Sequence, residues 1–326
     1  MSFWPLIKIL PVKTNFRFVA FAKLAGALSI LAAIASLALV LLPFKPPCGG
    51  LTCGIDFRGG TVLEFSTYPR SIDLAAVRAA VSDKGLGDVG VQAFGEGPKA
   101  GAMVRFQNPE GKNANAVKSE IRQAIDKALG GQVRFTNDAT VGAKVSGELF
   151  TSGITALLVA IALMLVYIWF RFELQFGLGA VVALFHDVLL TFGLIAFTKM
   201  EFSLTTIAAI LTIIGYSMND TVVVFDRLRE NLRKYKRMPL REVIDLSINE
   251  TLSRTIITGL TAVLALGGLA LFGGEALFGF SVIMMFGIVL GTYSSIYVAA
   301  PVILLWGVKR GEEEATPIKF GAASRP

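Results

Sequence analysis

Four ionisable side chains interrupt stretches that are otherwise apolar enough to cross a bilayer. His186 and Asp187 lie within VVALFHDVLLTFG, Asp220 within IIGYSMNDTVVVFDR, and Arg254 opens the apolar part of INETLSRTIITGLTAVLALG. An ionisable group at the centre of a membrane helix costs about 2.5–3.5 kcal/mol on insertion scales, so by default it marks function. The pairing that suggests chemistry is Asp220 with Arg254. Asp220 stands roughly 9 Å along a helix from the more exposed Asp226, and Arg254 enters its own apolar segment from the same side. An aspartate beside an arginine stays ionised, whereas one moved away into an apolar site takes up a proton. That is the chemistry of a proton relay, with Tyr216, Ser217, Asn219 and Thr221 supplying hydroxyl and amide groups to hold water. A blander reading leaves Arg254 and Asp226 at the interface, their side chains reaching water. His186 and Asp187 stand roughly 100° apart on a helix, so both cannot line one narrow path equally. One of them is then free to hydrogen-bond a neighbouring helix instead.

The elements that must position these groups are membrane helices. Hydrophobic residues make up 54% of the 326 positions and charged residues 17%, against roughly 45–50% and about 25% in soluble domains. Mean hydropathy is +0.64. This excludes a soluble enzyme and a disordered chain. Six stretches reach the roughly 20 apolar residues that a spanning helix needs: 18–42, 150–170, 176–197, 203–225, 255–272 and 277–308. The first is too long for the apolar core of a cleavable signal.

Net charge is +7, and its location matters more than its size. Lys8, Lys13, Arg17 and Lys23 precede or open the first span without any acid, and the 226–254 stretch holds eight basic and five acidic residues. The 46–148 stretch, with 12 basic and 11 acidic residues, is nearly neutral. Positive charge beside short apolar spans is retained on the cytoplasmic side, a better account of the basic balance than nucleic-acid binding. With Arg171, Lys309 and Arg310 also inside, both termini are cytoplasmic. The expected organisation is a cytoplasmic segment 1–17, a first transmembrane helix 18–44, an outer α+β domain 45–149, helices 2–6 over 150–308 with a basic cytoplasmic loop at 226–254, and a cytoplasmic tail 309–326.

The outer insert has its own pattern. TVLEFST (61–67) alternates as a strand does. Ser71 is placed to cap a helix through SIDLAAVRAAVSDKG, with Leu74, Val77 and Val81 on one face and a glycine stop. DVGVQAFG (88–95) and AMVRFQN (102–108) read as two strands about a turn; 113–131 reads as a second amphipathic helix and QVRFTNDATV as a fourth strand. The order βαββαβ is the ferredoxin-like split pattern. One histidine and two cysteines are too few for a zinc site, which wants about four ligands, so no metal or other cofactor is expected. Cys48 and Cys53, on the outer side, suit a local disulfide in an oxidising compartment or two unpaired thiols. Gly287 and Gly291 in FGIVLGTYSS have small-xxx-small spacing, which permits close helix contact. No repeat of 20–50 residues appears. Many transporters are built from two related halves, so one six-helix set looks like half of one and a partner chain is expected.

Five blocks carry a resemblance: GIDFRGGT (54–61), VGAKVSGEL (141–149), ALFHDV (183–188), IGYSMNDTVVVFDRLREN (214–231) and NETLSRTIITGLTA (249–262). In this order, and with six spans, they closely resemble the SecF family of the bacterial SecDF protein-export complex. The resemblance implies a polytopic α-helical membrane protein with six transmembrane helices, an RND-like half, and a ferredoxin-like periplasmic domain between helices 1 and 2. It implies a multi-pass protein of the bacterial inner membrane, embedded in the lipid bilayer and partnered by SecD, with YajC, YidC and the SecYEG channel as associates and unfolded preprotein at the periplasmic domain. Nucleic acid is not among its partners. The implied activity is assistance to preprotein export, driven by the proton motive force, without a hydrolytic active site. The family's proton-passage aspartate and arginine fall on Asp220 and Arg254; Gly54, Asp56, Gly59 and Gly60 belong to its structural motif. His186, Asp187, Tyr216 and Asn219 remain relay or helix-packing polar groups.

Three rivals are weighed against this. An intramembrane aspartyl protease would need Asp187 and Asp220 to share one site, and GYSMND lacks the glycine-flanked aspartate of such enzymes. An RND-type exporter half for a small molecule or lipid has the same plan, since fold does not dictate cargo. A purely structural subunit would tolerate a neutral residue at Asp220.

Overall fold

The computed structural model describes residues 14–42, 47–82, 84–86, 89–94, 100–109, 112–131 and 133–307. Lys8, Lys13, Lys309 and Arg310, used above to orient the chain, lie outside the described residues, as do most of the N-terminal segment and the whole 309–326 tail. The first span is α1 (Phe18–Leu41). Leu24, Leu28, Leu31 and Ile34 point outward from it, whereas Ala25, Ser29 and Ser36 are buried against the bundle. A helix that buries its small residues and exposes its large apolar ones faces lipid or another chain.

The domain between the first two spans follows: β1 (Thr52–Cys53), α2 (Ile55–Arg58), β2 (Gly60–Ser66), α3 (Leu74–Ser82), β3 (Gly90–Phe94), β4 (Gly101–Phe106), α4 (Ala114–Ala128) and β5 (Arg134–Val141). Strands β2 to β5 form an antiparallel sheet in the order β3-β4-β2-β5, the ferredoxin-like arrangement. Its register sets Leu63 opposite Val104 and Phe65 opposite Ala102. Because side chains alternate along a strand, these residues share one face. Val77 and Val81 of α3 and Ile121 and Ile125 of α4 cover that face, all four fully buried. Full burial of such a side chain contributes about 1.5–3 kcal/mol, so the face is a core in its own right.

Ser71 does not cap α3. Asp73 does, its Oδ1 accepting from the backbone N–H groups of Ala75 and Ala76 at 2.9 and 3.0 Å. A carboxylate that reaches two free N–H groups at the positive end of a helix is the stronger cap. Asn113 caps α4 as a side-chain acceptor.

The second span, α5 (Ala143–Arg171), starts well before position 150. VGAKVSGEL is thus chiefly its first turns, which precede the apolar run and follow the extended Gly142. Next come α6 (Leu174–Thr198), β6 (Glu201–Phe202), α7 (Leu204–Lys234) and α8 (Leu240–Phe272). The basic 226–254 stretch is not a loop: it is helical except for 235–239. The two helices continue past their apolar runs because they hold each other. Arg227 donates to Glu250 at 2.7 Å, and the Asn231 amide donates to Ser247 at 3.0 Å and to Glu250 at 2.6 Å.

The last span is broken into α9 (Glu275–Ser294), a π-helical turn (Ser295–Ala299) and α10 (Ala300–Trp306). The cause is Pro301, which lacks an N–H and whose ring crowds the carbonyl four residues back. The backbone answers with the wider bond from Ala300 N–H to Ser295 C=O. The spans α6, α7 and α9 are the most buried, with α1, α5 and α8 around them. Gly287 and Gly291 of α9 sit against Ile213 and Ser217 of α7, so the small-residue spacing serves contact within this chain.

Candidate functional site

Two carboxylates lie in the membrane part, each held by hydroxyls from other helices. Asp220 on α7 accepts from Thr255 Oγ1 of α8 and from Ser295 Oγ of the π-turn, both at 2.6 Å. Asp187 on α6 accepts from Ser217 Oγ of α7 at 2.5 Å and from Ser294 Oγ of α9 at 2.7 Å. His186 Nδ1 lies 2.9 Å from the other oxygen of Asp187. Such convergence is what a buried acceptor requires, because an ionised carboxylate has only acceptors to offer.

The anticipated ion pair between Asp220 and Arg254 is not formed among the described residues. Thr255, the next residue on α8, takes the place beside Asp220. One residue is about 100° of helical rotation, so the exposed Arg254 lies beside Asp220 without bonding it and acts on it through its charge alone. Asn219 is exposed too and lines a groove of about 500 Å³ between α5 and α7 with Leu163, Met164, Tyr167 and Met218. Tyr216 leans towards α8, its hydroxyl near the small face at Gly259. Asp226 pairs with Arg171. Asp187 and Asp220 have separate donors and no hydrogen bond joins them among the described residues, which is not the shared site a protease dyad needs.

His186 and Asp187 act together rather than on separate faces. The imidazole stacks on Tyr293 with ring centroids 6.2 Å apart, and the Tyr293 hydroxyl meets Ala25 C=O at 3.0 Å and Ser29 Oγ at 2.9 Å on α1. Sequence reasoning passed over Ser294, Ser295, Thr255 and Tyr293. Their signal was the polar cluster TYSS inside an apolar span and the threonine next to Arg254.

The GIDFRGGT block forms a clasp at the end of the bundle where the α+β domain joins it. β1 pairs in parallel with β6, Thr52 beside Glu201 and Cys53 beside Phe202. The Gly54 N–H donates to Phe202 C=O at 2.8 Å. Asp56 Oδ2 accepts from the Leu204 N–H at 3.0 Å and so caps the start of α7. A Cβ on Gly54 would come 2.4 Å from Glu201 Oε1. Gly59 and Gly60 turn the chain into β2 with φ of 71° and 118°, a region that favours glycine. Cys48 and Cys53 are disulfide-bonded at the approach to this clasp.

Glu201 completes the clasp by pairing with Arg105 of β4 and accepting from the Ile55 N–H at 3.3 Å. Burial raises the Glu201 carboxyl above its usual range, with Arg105 pulling the other way. A folded-state value above the unfolded one means that the folded protein holds this proton more tightly. The resulting stability is full below the unfolded value and is lost as pH rises through the folded one. Replacing Glu201 by Gln, neutral throughout, should flatten the fall in thermal stability just above the usual carboxylate range. An unchanged pH profile in thermal unfolding of the full chain in lipid would contradict the assignment to Glu201.

Among the described residues no three His, Cys, Asp or Glu side chains gather as metal ligands would. The family model for protein export membrane proteins SecD/SecF, C-terminal part, matches residues 121–309. The chain is 45% identical to the protein translocase subunit SecF of Rhodobacter capsulatus, over 95% of this chain and 95% of that protein. It is 46% identical to the subunit SecF of Cereibacter sphaeroides, over 94% of each. Its fold is similar to that of a solved SecDF from Thermus thermophilus, described as a translocon-associated membrane protein, with a TM-score of 0.77 and 32% identity. A SecDF in its super-membrane-facing form matches with a TM-score of 0.63 and 31% identity. Both comparisons cover 91% of this chain but 39% of the solved chain, so this chain spans well under half of those proteins' length.

Proposed function

The chain belongs to the SecF family of protein translocase subunits, and we propose that, with a SecD partner, it uses the proton motive force to assist preprotein translocation and release. The observation that carries the proposal is Asp220, a carboxylate within the membrane span held by one hydroxyl from α8 and one from the π-turn. Beside it lie the exposed Arg254 and Asn219. An exposed arginine on a membrane helix needs a partner or water, and a SecD chain lying against this face would supply one. The 39% coverage of the solved SecDF agrees with a second chain providing the rest.

The bonds on Asp220 suggest how a proton does work. Bonds from a hydroxyl to an ionised carboxylate are stronger than bonds to a neutral acid. Protonation of Asp220 therefore loosens its hold on α8 and on the π-turn. At its inner end α8 grips the start of α1: Asp245 Oδ1 accepts from the Val19 N–H at 2.9 Å, and Asn249 bonds both the N–H and C=O of Phe16, at 2.9 and 2.8 Å. α1 leads to the outer domain, whose clasp on α7 ties it to the helix bearing Asp220. Movement of α8 or α7 is thus carried to the domain. One proton crossing 100 mV supplies about 2.3 kcal/mol, enough to bias a two-state movement. A solved SecDF is described in a super-membrane-facing form, which supports a fold whose parts take more than one arrangement.

In this reading the membrane is the bacterial inner membrane, the termini are cytoplasmic and the 45–149 insert is periplasmic, meeting preprotein as it leaves the SecYEG channel, with YajC and YidC as further associates. The Cys48–Cys53 disulfide supports an oxidising compartment for that side. The test is release of a preprotein from membrane vesicles carrying the chain and SecD, with and without an ionophore. Gradient-stimulated release should be present in the wild type and absent in Asp220→Asn at equal assembly. Stimulation that survives in Asp220→Asn would defeat the proposal.

A further inference from the structure

The mechanism above leaves unused the most deeply buried ionisable group of the membrane part. Asp187 is 1% exposed and His186 8%. The His186 Nε2 is buried without a partner among the described residues. The donors on the two carboxylates are consecutive residues: Ser294 donates to Asp187 and Ser295 to Asp220, at the point where α9 passes into the π-turn. A second link runs through α7, where Ser217 donates to Asp187 one turn before Asp220. A charge change at either carboxylate therefore alters the bonding of the same backbone turn.

We infer that Asp187 is a second proton-binding site of this chain, served by His186 and coupled to Asp220 through Ser294 and Ser295. The inference rests on Asp220 being the proton-carrying group. The transfer balances within the residues present. A proton from the gradient binds Nε2 and forms the imidazolium; the Nδ1 proton then passes to the Asp187 oxygen 2.9 Å away. The imidazole is left neutral with its proton on Nε2, and Asp187 is left as the neutral acid. As an acid it carries a donor of its own and holds Ser217 and Ser294 less strongly. Among the described residues the titratable groups near it are His186 on its own helix, Asp220 on α7, Tyr293 on α9 and, beyond Tyr293, Tyr297 of the π-turn. α1 contributes Ser29 by way of Tyr293, and on α8 Arg254 points outward. A packing role alone would need neither a carboxylate nor a histidine, since an asparagine satisfies the same serines.

The test is difference infrared spectroscopy of the carboxyl C=O stretch, with the full chain and its partner in lipid, titrated from acid to alkaline pH. The wild type should show two buried carboxyl bands. Asp187→Asn should remove one and move the midpoint of the other by about one pH unit, the scale that defines coupled sites. Ser294→Ala, which keeps both acids, should move the midpoints without removing a band, and serves if Asp187→Asn fails to fold. An unchanged band set and unmoved midpoint in Asp187→Asn, or in Ser294→Ala where that variant stands in, would overturn the inference. Failure of the export reading is seen separately, as stimulation retained in Asp220→Asn.

Discussion

A leucine at position 287 should prevent the membrane bundle from assembling. Gly287 of α9 faces Ile213 of α7 so closely that a Cβ would come 2.3 Å from Ile213 Cδ1 and Cγ1 and 2.8 Å from Cγ2. Ile213 cannot swing aside, because a β-branched residue in a helix has one strongly preferred rotamer, and it is 1% exposed. Ordinary overpacking costs about 1–3 kcal/mol; here a whole isobutyl group must enter where one methyl does not fit, so the loss should lie at or beyond the top of that range. The shift would also part Ser217 from Gly291, one turn on, and with it a donor to Asp187. Gly267 of α8 is the matched control, having nothing within 4 Å of its Cβ position. Gly287→Leu should fall sharply in membrane abundance and in thermal resistance in detergent, while Gly267→Leu should not. Equal behaviour of the two would contradict the packing described.

The second large effect is expected from removing the two hydroxyls that hold Asp220 while leaving Asp220 in place. Hydrogen bonds to a charged group are worth about 1.5–3 kcal/mol each, so Thr255→Val with Ser295→Ala removes about 3–6 kcal/mol of support from the ionised carboxylate. As 1.4 kcal/mol is a factor of about ten in an equilibrium, the coupling of protonation to helix movement should be disrupted and gradient-stimulated release should fall at least about tenfold. Each single variant should fall less, and Thr255→Ser and Ser295→Thr should retain most of the function because they keep the hydroxyl. A double variant that releases preprotein like the wild type would show that these bonds do not transmit the effect.

Much of the architecture is legible in the residues because lipid and water impose opposite demands on them. Six apolar runs give six spanning helices, and alternation in TVLEFST and AMVRFQN gives strands β2 and β4. Helix ends were read less well where the helix outlasts the apolar run. The 226–254 stretch is polar yet helical, because Arg227, Asn231, Ser247 and Glu250 join two helices, and such pairing is invisible in one strand of sequence. The break before Pro301 follows from the proline itself, which removes a helix hydrogen bond and crowds the preceding turn.

The candidate site divides in the same way. Asp220, Arg254, His186 and Asp187 announce themselves as charges in apolar surroundings. Their partners do not, since serine and threonine are common in membrane helices and only the fold selects Ser217, Ser294, Ser295 and Thr255. The register on α8 shows the limit clearly: entry from the same side suggested a pair of Arg254 with Asp220, and one residue of helical rotation gives the direct bond to Thr255 instead. The bond of Glu201 to Arg105, 96 positions earlier in the chain, could not be read from spacing.

The most direct test of the central claim is proton movement itself. Vesicles holding the chain with SecD and an engaged preprotein, loaded with a pH-sensitive dye, would be given an imposed gradient. With wild-type protein the lumenal pH should change faster than in protein-free vesicles, and Asp220→Asn at equal assembly should reduce the rate to that background. Proton movement through Asp220→Asn at the wild-type rate would contradict the account and leave Asp220 as a packing residue in a subunit that serves its partner by other means.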